Sequence, residues 1–126
     1  MKINISPYVF PGVDQSLLPK VDKRYDRYKI TPEEVLSIVA EFHGLSPESI
    51  IEKNKCREIT DARHMYCGIL KNRFKYSYKD IAKILKRDDE RTIYHSIKIF
   101  KGFIQFEPVY RDQYNKILEH INSKIN

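Results

Sequence analysis

From Thr31 onward the chain is punctuated at helical spacings, and no stretch of it alternates like a β-strand. Thr31-Pro32-Glu33-Glu34 supplies an N-cap hydroxyl, a proline at the first helical position and a capping-box glutamate. Val35, Ile38, Val39 and Phe42 follow at i, i+3, i+4 and i+7, and Gly44 ends the run. Ser46-Pro47-Glu48 opens a second, short helix carrying Ile50 and Ile51. The segment EKNKCREI (52–59) reads as a basic connector. Thr60 or Asp61 then caps a third helix with Ala62, Met65, Tyr66, Ile69 and Leu70 inward. Ser77-Tyr78-Lys79-Asp80 starts a fourth over 78–86, with Tyr78, Ile81, Ala82 and Leu85 on one face. KRDD (86–89) turns the chain into a fifth helix over 89–105, whose core stripe is Ile93, Ile97, Phe100 and Ile104. Pro108 precedes a last helix burying Tyr110, Tyr114, Ile117, Leu118, Ile121 and Ile125. The expected fold is all-α, about six helices over 31–126, in a chain whose 126 residues suit one domain.

Residues 1–30 differ. Pro7, Pro11 and Pro19 forbid a long helix and favour an extended arm. Its Ile3, Ile5, Tyr8, Val9, Phe10, Val13, Leu17 and Leu18 are too apolar for a free tail, so the arm is expected to pack on the domain or on a partner. The opening MKINISPYVFPG lacks the unbroken apolar stretch of a secretory signal, and no run approaches the ~20 residues of a membrane span. A soluble, cytoplasmic protein is expected.

Several chemistries lack their residues. Cys56 and Cys67 form neither a CxxC pair nor a disulfide framework, and His43, His64, His95 and His120 have no metal-ligand spacing, so neither metal nor cofactor is expected. Gly12, Gly44, Gly68 and Gly102 stand alone, without a phosphate loop or dinucleotide fingerprint. No nucleophile–base pair is recognisable, and the expectation is a non-enzymatic protein.

The net charge of +6 is localised. Residues 1–52 carry six bases and eight acids, and 102–126 carry three of each. Residues 53–79 carry eight bases (Lys53, Lys55, Arg57, Arg63, Lys71, Arg73, Lys75 and Lys79) against Glu58 and Asp61. A concentrated basic patch suits a polyanion such as nucleic acid, the bland alternative being a solvated face.

A helix, a tight turn and a longer helix, together about 77–105, match the helix-turn-helix arrangement, whose second helix enters the major groove with its N-terminal residues toward base edges. Those residues here are Asp89, Glu90, Arg91 and Thr92. His95 and Lys98 project on the same outward side, since 100° per residue sets Arg91, His95 and Lys98 opposite the apolar stripe.

On these residues the chain resembles a known family. Ala62-Arg63-His64-Met65, then Ser77-Tyr78-Lys79-Asp80-Ile81-Ala82, then Thr92-Ile93-Tyr94-His95-Ser96 are similar, in order, to the C-terminal DNA-binding domain of the bacterial replication initiator DnaA. The resemblance covers 31–121 and leaves the arm without a counterpart. It implies double-stranded DNA as the partner and a role in replication or transcription control. It also implies that Lys55, flanked by Lys53 and Arg57, replaces an arginine sent into the minor groove, and that Arg63 contacts DNA, with His64 where glutamine is usual. Lys79, in a stripe with Lys83 and Lys86, and Arg87 complete the expected DNA-binding set, the alternative for the stripe being a solvated helix face. The family signature Gly-Gly-Arg-Asp-His-Thr-Thr stands here as Lys86-Arg87-Asp88-Asp89-Glu90-Arg91-Thr92. Asp89 and Thr92 persist, while Glu90 and Arg91 replace the base-reading pair. Arg91 can pair bidentately with guanine, and Glu90 can accept from a cytosine amino group. The alternative is a protein-interaction module that has lost DNA reading, its arm engaging a partner such as a replication protein.

Overall fold

The structure is a computed structural model and describes residues 29–53 and 55–125. The expectations for an extended arm at 1–28 lie outside the described residues. Of the last two arm positions, Lys29 is exposed and Ile30 is buried in the core.

The order is α1 (Pro32–His43), α2 (Pro47–Ile51), α3 (Arg57–Asn72), α4 (Tyr78–Ile84), α5 (Glu90–Phe106) and α6 (Pro108–Ile125). All regular structure among the described residues is helical, as the spacing predicts. Three of the expected caps form. Thr31 accepts from the Glu34 N–H while the Glu34 carboxylate accepts from the Thr31 N–H, and Ser46 and Ser77 accept from the N–H groups of Ser49 and Asp80. Each satisfies donors that a helix start leaves without intrahelical partners.

α3 is the axis of the domain. Ala62, Met65, Tyr66, Cys67, Ile69 and Leu70 are fully buried, so several faces of this helix are covered, chiefly by α5, α1 and α2. Its polar groups are spent inward. The Tyr66 hydroxyl donates to the Pro32 carbonyl at 2.9 Å and the Tyr110 hydroxyl to the Asp61 carbonyl at 3.0 Å, joining α1 and α6 to α3. Burial raises both phenol pKa values and pushes the Cys67 thiol up to about 12, which leaves that sulfur a packing group.

The spacing between α3 and α5 is set at Gly68. A Cβ there would lie 2.4 Å from the Phe100 ring, closer than packed atoms approach. The ring sits against bare α3 backbone, with Tyr110 and Tyr114 edge-on at 6.2 and 5.1 Å, so one side chain links α3, α5 and α6.

Several expectations shift. α3 starts at Arg57, before Thr60 or Asp61, because the Thr60 hydroxyl bonds back to the Arg57 carbonyl at 3.0 Å instead of capping. Phe42 is 39% exposed, in a T-shaped contact with the His120 ring at 5.9 Å. Ile104 of the expected α5 stripe and Tyr114, Leu118 and Ile125 of the expected α6 face are half-buried at the margin of the core, not inside it. α4 stops at Ile84 because Lys86 is left-handed (φ 56°), and its N–H and that of Arg87 return to the carbonyls of Lys83 and Ala82, a Schellman closure.

Two stability outcomes follow from this packing. Gly68→Ala drives a methyl into the Phe100 ring and is expected to lower unfolding free energy by about 1–3 kcal/mol, read from the urea midpoint. Lys86→Gly removes left-handed strain at the price of a looser unfolded chain and is expected to raise it by about 0.5–1 kcal/mol.

Candidate nucleic-acid interface

α5 presents the face that its sequence implies. Ile93, Ser96, Ile97 and Phe100 are buried, whereas Glu90, Arg91, Thr92, His95 and Lys98 are exposed. Asp89 fixes the start of the helix. One carboxylate oxygen accepts from the Arg91 N–H at 2.9 Å, and the other accepts from Arg91 Nε at 3.1 Å. The backbone hydrogen bond and the adjacent guanidinium hold the Asp89 carboxyl below its ordinary pKa. The Arg91 side chain remains 84% exposed, and because the contact uses Nε, its terminal nitrogens point onward from a braced stem.

Beside this helix start lies an open hollow of about 390 Å³, lined by Lys53, Lys55, Arg63, Arg87, Asp88, Asp89 and Thr92. The basic connector and the turn before α5, more than thirty residues apart in sequence, thus share one surface. Lys53 and Lys55 are exposed there.

Arg63 and Arg87 line the same hollow, with their guanidinium groups engaged by backbone carbonyls. Arg63 is 8% exposed, its Nε donating to the Ile50 carbonyl at 2.8 Å and its Nη2 to the Glu52 carbonyl. Arg87 Nη1 donates to the carbonyls of Ile51 and Leu85 at 2.8 and 2.7 Å, and its Nη2 reaches Glu52 at 3.3 Å. Burial, and then the neighbouring Arg87, lower the pKa of Arg63. α2 has one turn only, so its last carbonyls lack intrahelical donors, and the two guanidinium groups provide them.

His64 is displaced from the expected surface. It is half-buried against Phe103, at 6.4 Å between rings, and its buried Nδ1 has no hydrogen-bond partner among the described residues. Arg57 is exposed at the start of α3 but faces Asp61, at 3.9 Å, and borders a different cavity. Lys79 is exposed in the first turn of α4, outside the hollow.

One surface residue escapes the sequence reading. Tyr94 is 50% exposed on α5, edge-on to Tyr78 at 5.8 Å and to His95 at 6.0 Å, with Lys71 Nζ 4.5 Å above the Tyr78 ring. Its helical angle, 60° from Arg91 and 40° from Lys98, was the available signal.

The sequence profile of the bacterial dnaA protein helix-turn-helix matches residues 32–99, more than half of the chain and the span that includes the hollow and the exposed face of α5. The chain belongs to the DnaA helix-turn-helix family. Among its relatives, chromosomal replication initiator protein DnaA 1 of Chlamydia trachomatis is 26% identical over 85 residues, which are 68% of this chain and 19% of that protein. Chromosomal replication initiator protein DnaA of Bacteroides thetaiotaomicron is 24% identical over 95 residues, 75% of this chain and 20% of the relative. That of Ureaplasma parvum is 35% identical over 66 residues, 52% and 14% of the two chains. The chain spans about a fifth of the first two DnaA proteins. The DnaA helix-turn-helix is a DNA-binding domain, and the all-helical fold agrees with it. No described helix is long and apolar enough to cross a membrane, and no described cluster of His, Cys, Asp and Glu is suited to a metal.

The environment of His64 gives a pH dependence. Burial first, and then Arg63, disfavour its charged form, while Asp61 opposes them, and the net pKa lies below 6.5. The unfolded chain therefore takes up this proton at higher pH than the folded one. The stability this histidine supports is full above about pH 6.5 and is lost as pH falls through the lower, folded value. His64→Gln is expected to flatten that part of a pH–Tm profile, and an unchanged slope would show that another group sets it.

Proposed function

We propose that this protein is a non-enzymatic, sequence-reading double-stranded DNA-binding protein, with α5 in the major groove and the Lys53–Lys55 loop on the backbone or the adjacent minor groove. The observation that carries this reading is the continuity of one exposed surface: Arg91, His95 and Lys98 along α5, and Lys53, Lys55 and Thr92 around the hollow at its start. Asp89 acts as the cap that aims Arg91, and the terminal nitrogens of Arg91 suit the paired acceptors of guanine. Glu90, exposed beside it, repels phosphate and suits a cytosine amino group. Lys79 meets phosphate from the first turn of α4. Arg63 and Arg87 support the interface from beneath, and His64 packs behind it, so none of the three is assigned a base contact. The relatives' description as chromosomal replication initiators supports a role in replication control.

Phosphate neutralisation by Lys53, Lys55, Lys79 and Lys98, about four contacts, should give log K against log salt a slope near −4. A duplex selected from random sequence provides the probe. On it, Arg91→Ala is expected to lower the preference over unselected duplex by about 1–3 kcal/mol, while Lys55→Ala weakens both alike. A salt-independent affinity refutes the DNA reading. Equal losses from both variants on both duplexes remove α5 as the reading element. If the domain were instead a protein-interaction module, no duplex would be enriched.

A further inference from the structure

Phe106 and Val109, at the corner where α5 meets α6, are 72% and 73% exposed, the most exposed large apolar side chains among the described residues. Ile99, 43% exposed and two helical turns before Phe106, extends the same face. Beside them opens a cavity of about 280 Å³, with Arg57, Asp61, Phe103, Glu107, Pro108 and Tyr110 in its lining. Scattered exposed apolar residues are ordinary, but two adjoining ones next to a hollow are not scattered.

We infer that this corner is a self-association surface, on which Phe106 of one copy enters the hollow of a second copy about a two-fold axis. An isologous contact requires that one patch carry both the protruding and the receiving element, and this patch does. The hollow exceeds the ~150 Å³ of a cavity that accepts benzene, so it has room for a phenyl ring.

Charge selects the occupant. The chain's +6 is concentrated in residues 53–101, so two copies repel wherever those basic faces meet. Around this corner the signs balance: Arg57 and Asp61 lie on one wall of the hollow, Glu107 on the other, and Arg111 follows on α6. The Arg57 side chain is 85% exposed and its contact with Asp61 is long, at 3.9 Å, which leaves it able to reach outward. A two-fold axis through the corner sets Arg57 of each copy toward Glu107 of the other. The same carboxylates disfavour a nucleic acid or an anionic lipid surface here. Such a dimer carries two copies of α5, the arrangement with which helix-turn-helix dimers address paired half-sites.

Sedimentation equilibrium of the full chain without DNA tests this surface separately from the DNA reading. A reversible monomer–dimer equilibrium in the micromolar range is expected. Phe106→Lys should weaken it about tenfold or more without changing the thermal melt of the monomer, since that side chain is outside the core. Arg57→Glu and Glu107→Arg should each weaken it, and the two together should recover most of the loss. A monomer at every concentration overturns the proposal. So does a dimer that Phe106→Lys leaves unchanged, or charge reversals that fail to compensate.

Discussion

Two guanidinium groups converging on three backbone carbonyls hold the surface around the hollow together. The carbonyls of Ile50, Ile51 and Glu52 close α2, where the last acceptors of a helix have no intrahelical donors. Arg63 reaches them from the middle of the domain and Arg87 from the turn before α5. The start of the basic loop, the central helix and the helix-turn-helix corner are thereby fixed to one point. Among the described residues the buried charge of Arg63 is met by carbonyl dipoles, where the end of α2 carries partial negative charge. Such a charge is costly to bury unless each donor is met, which is why the rigid five-donor fork of arginine suits this position and a lysine would not.

The second constraint is steric. With no Cβ at Gly68, the Phe100 ring reaches α3 backbone and fixes the depth at which α5 lies. Everything on the opposite face of α5 inherits that position, including Arg91, His95 and Lys98. The exposed face is therefore held by the core rather than by its own polar contacts, apart from the Asp89 cap.

The basic residues divide into roles that charge counting does not separate. Eight bases in 53–79 look equivalent in a tally, yet Lys53 and Lys55 face solvent by the hollow, Arg63 is sealed beneath it, Arg57 points to the α6 corner and Arg73 ties α3 to Asn122 on α6. A long cationic side chain can serve as a surface charge or as a donor to buried carbonyls, and only its neighbours decide which. The same holds for His64, whose spacing in α3 is equally compatible with surface and with packing against Phe103.

Sequence alone determined what depends on neighbours along the chain. The caps at Thr31, Ser46 and Ser77, the apolar stripes and the outward side of α5 rest on hydrogen bonds within four residues or on the helical period. Tertiary structure alone decided that Phe42 stays at the edge, that Arg63 and Arg87 turn to carbonyls as many as 36 residues away, and that Phe106 and Val109 remain uncovered. Helical periodicity reports which side of a helix a residue occupies. What the fold brings against that side is set by contacts between segments distant in sequence, and no local spacing encodes those.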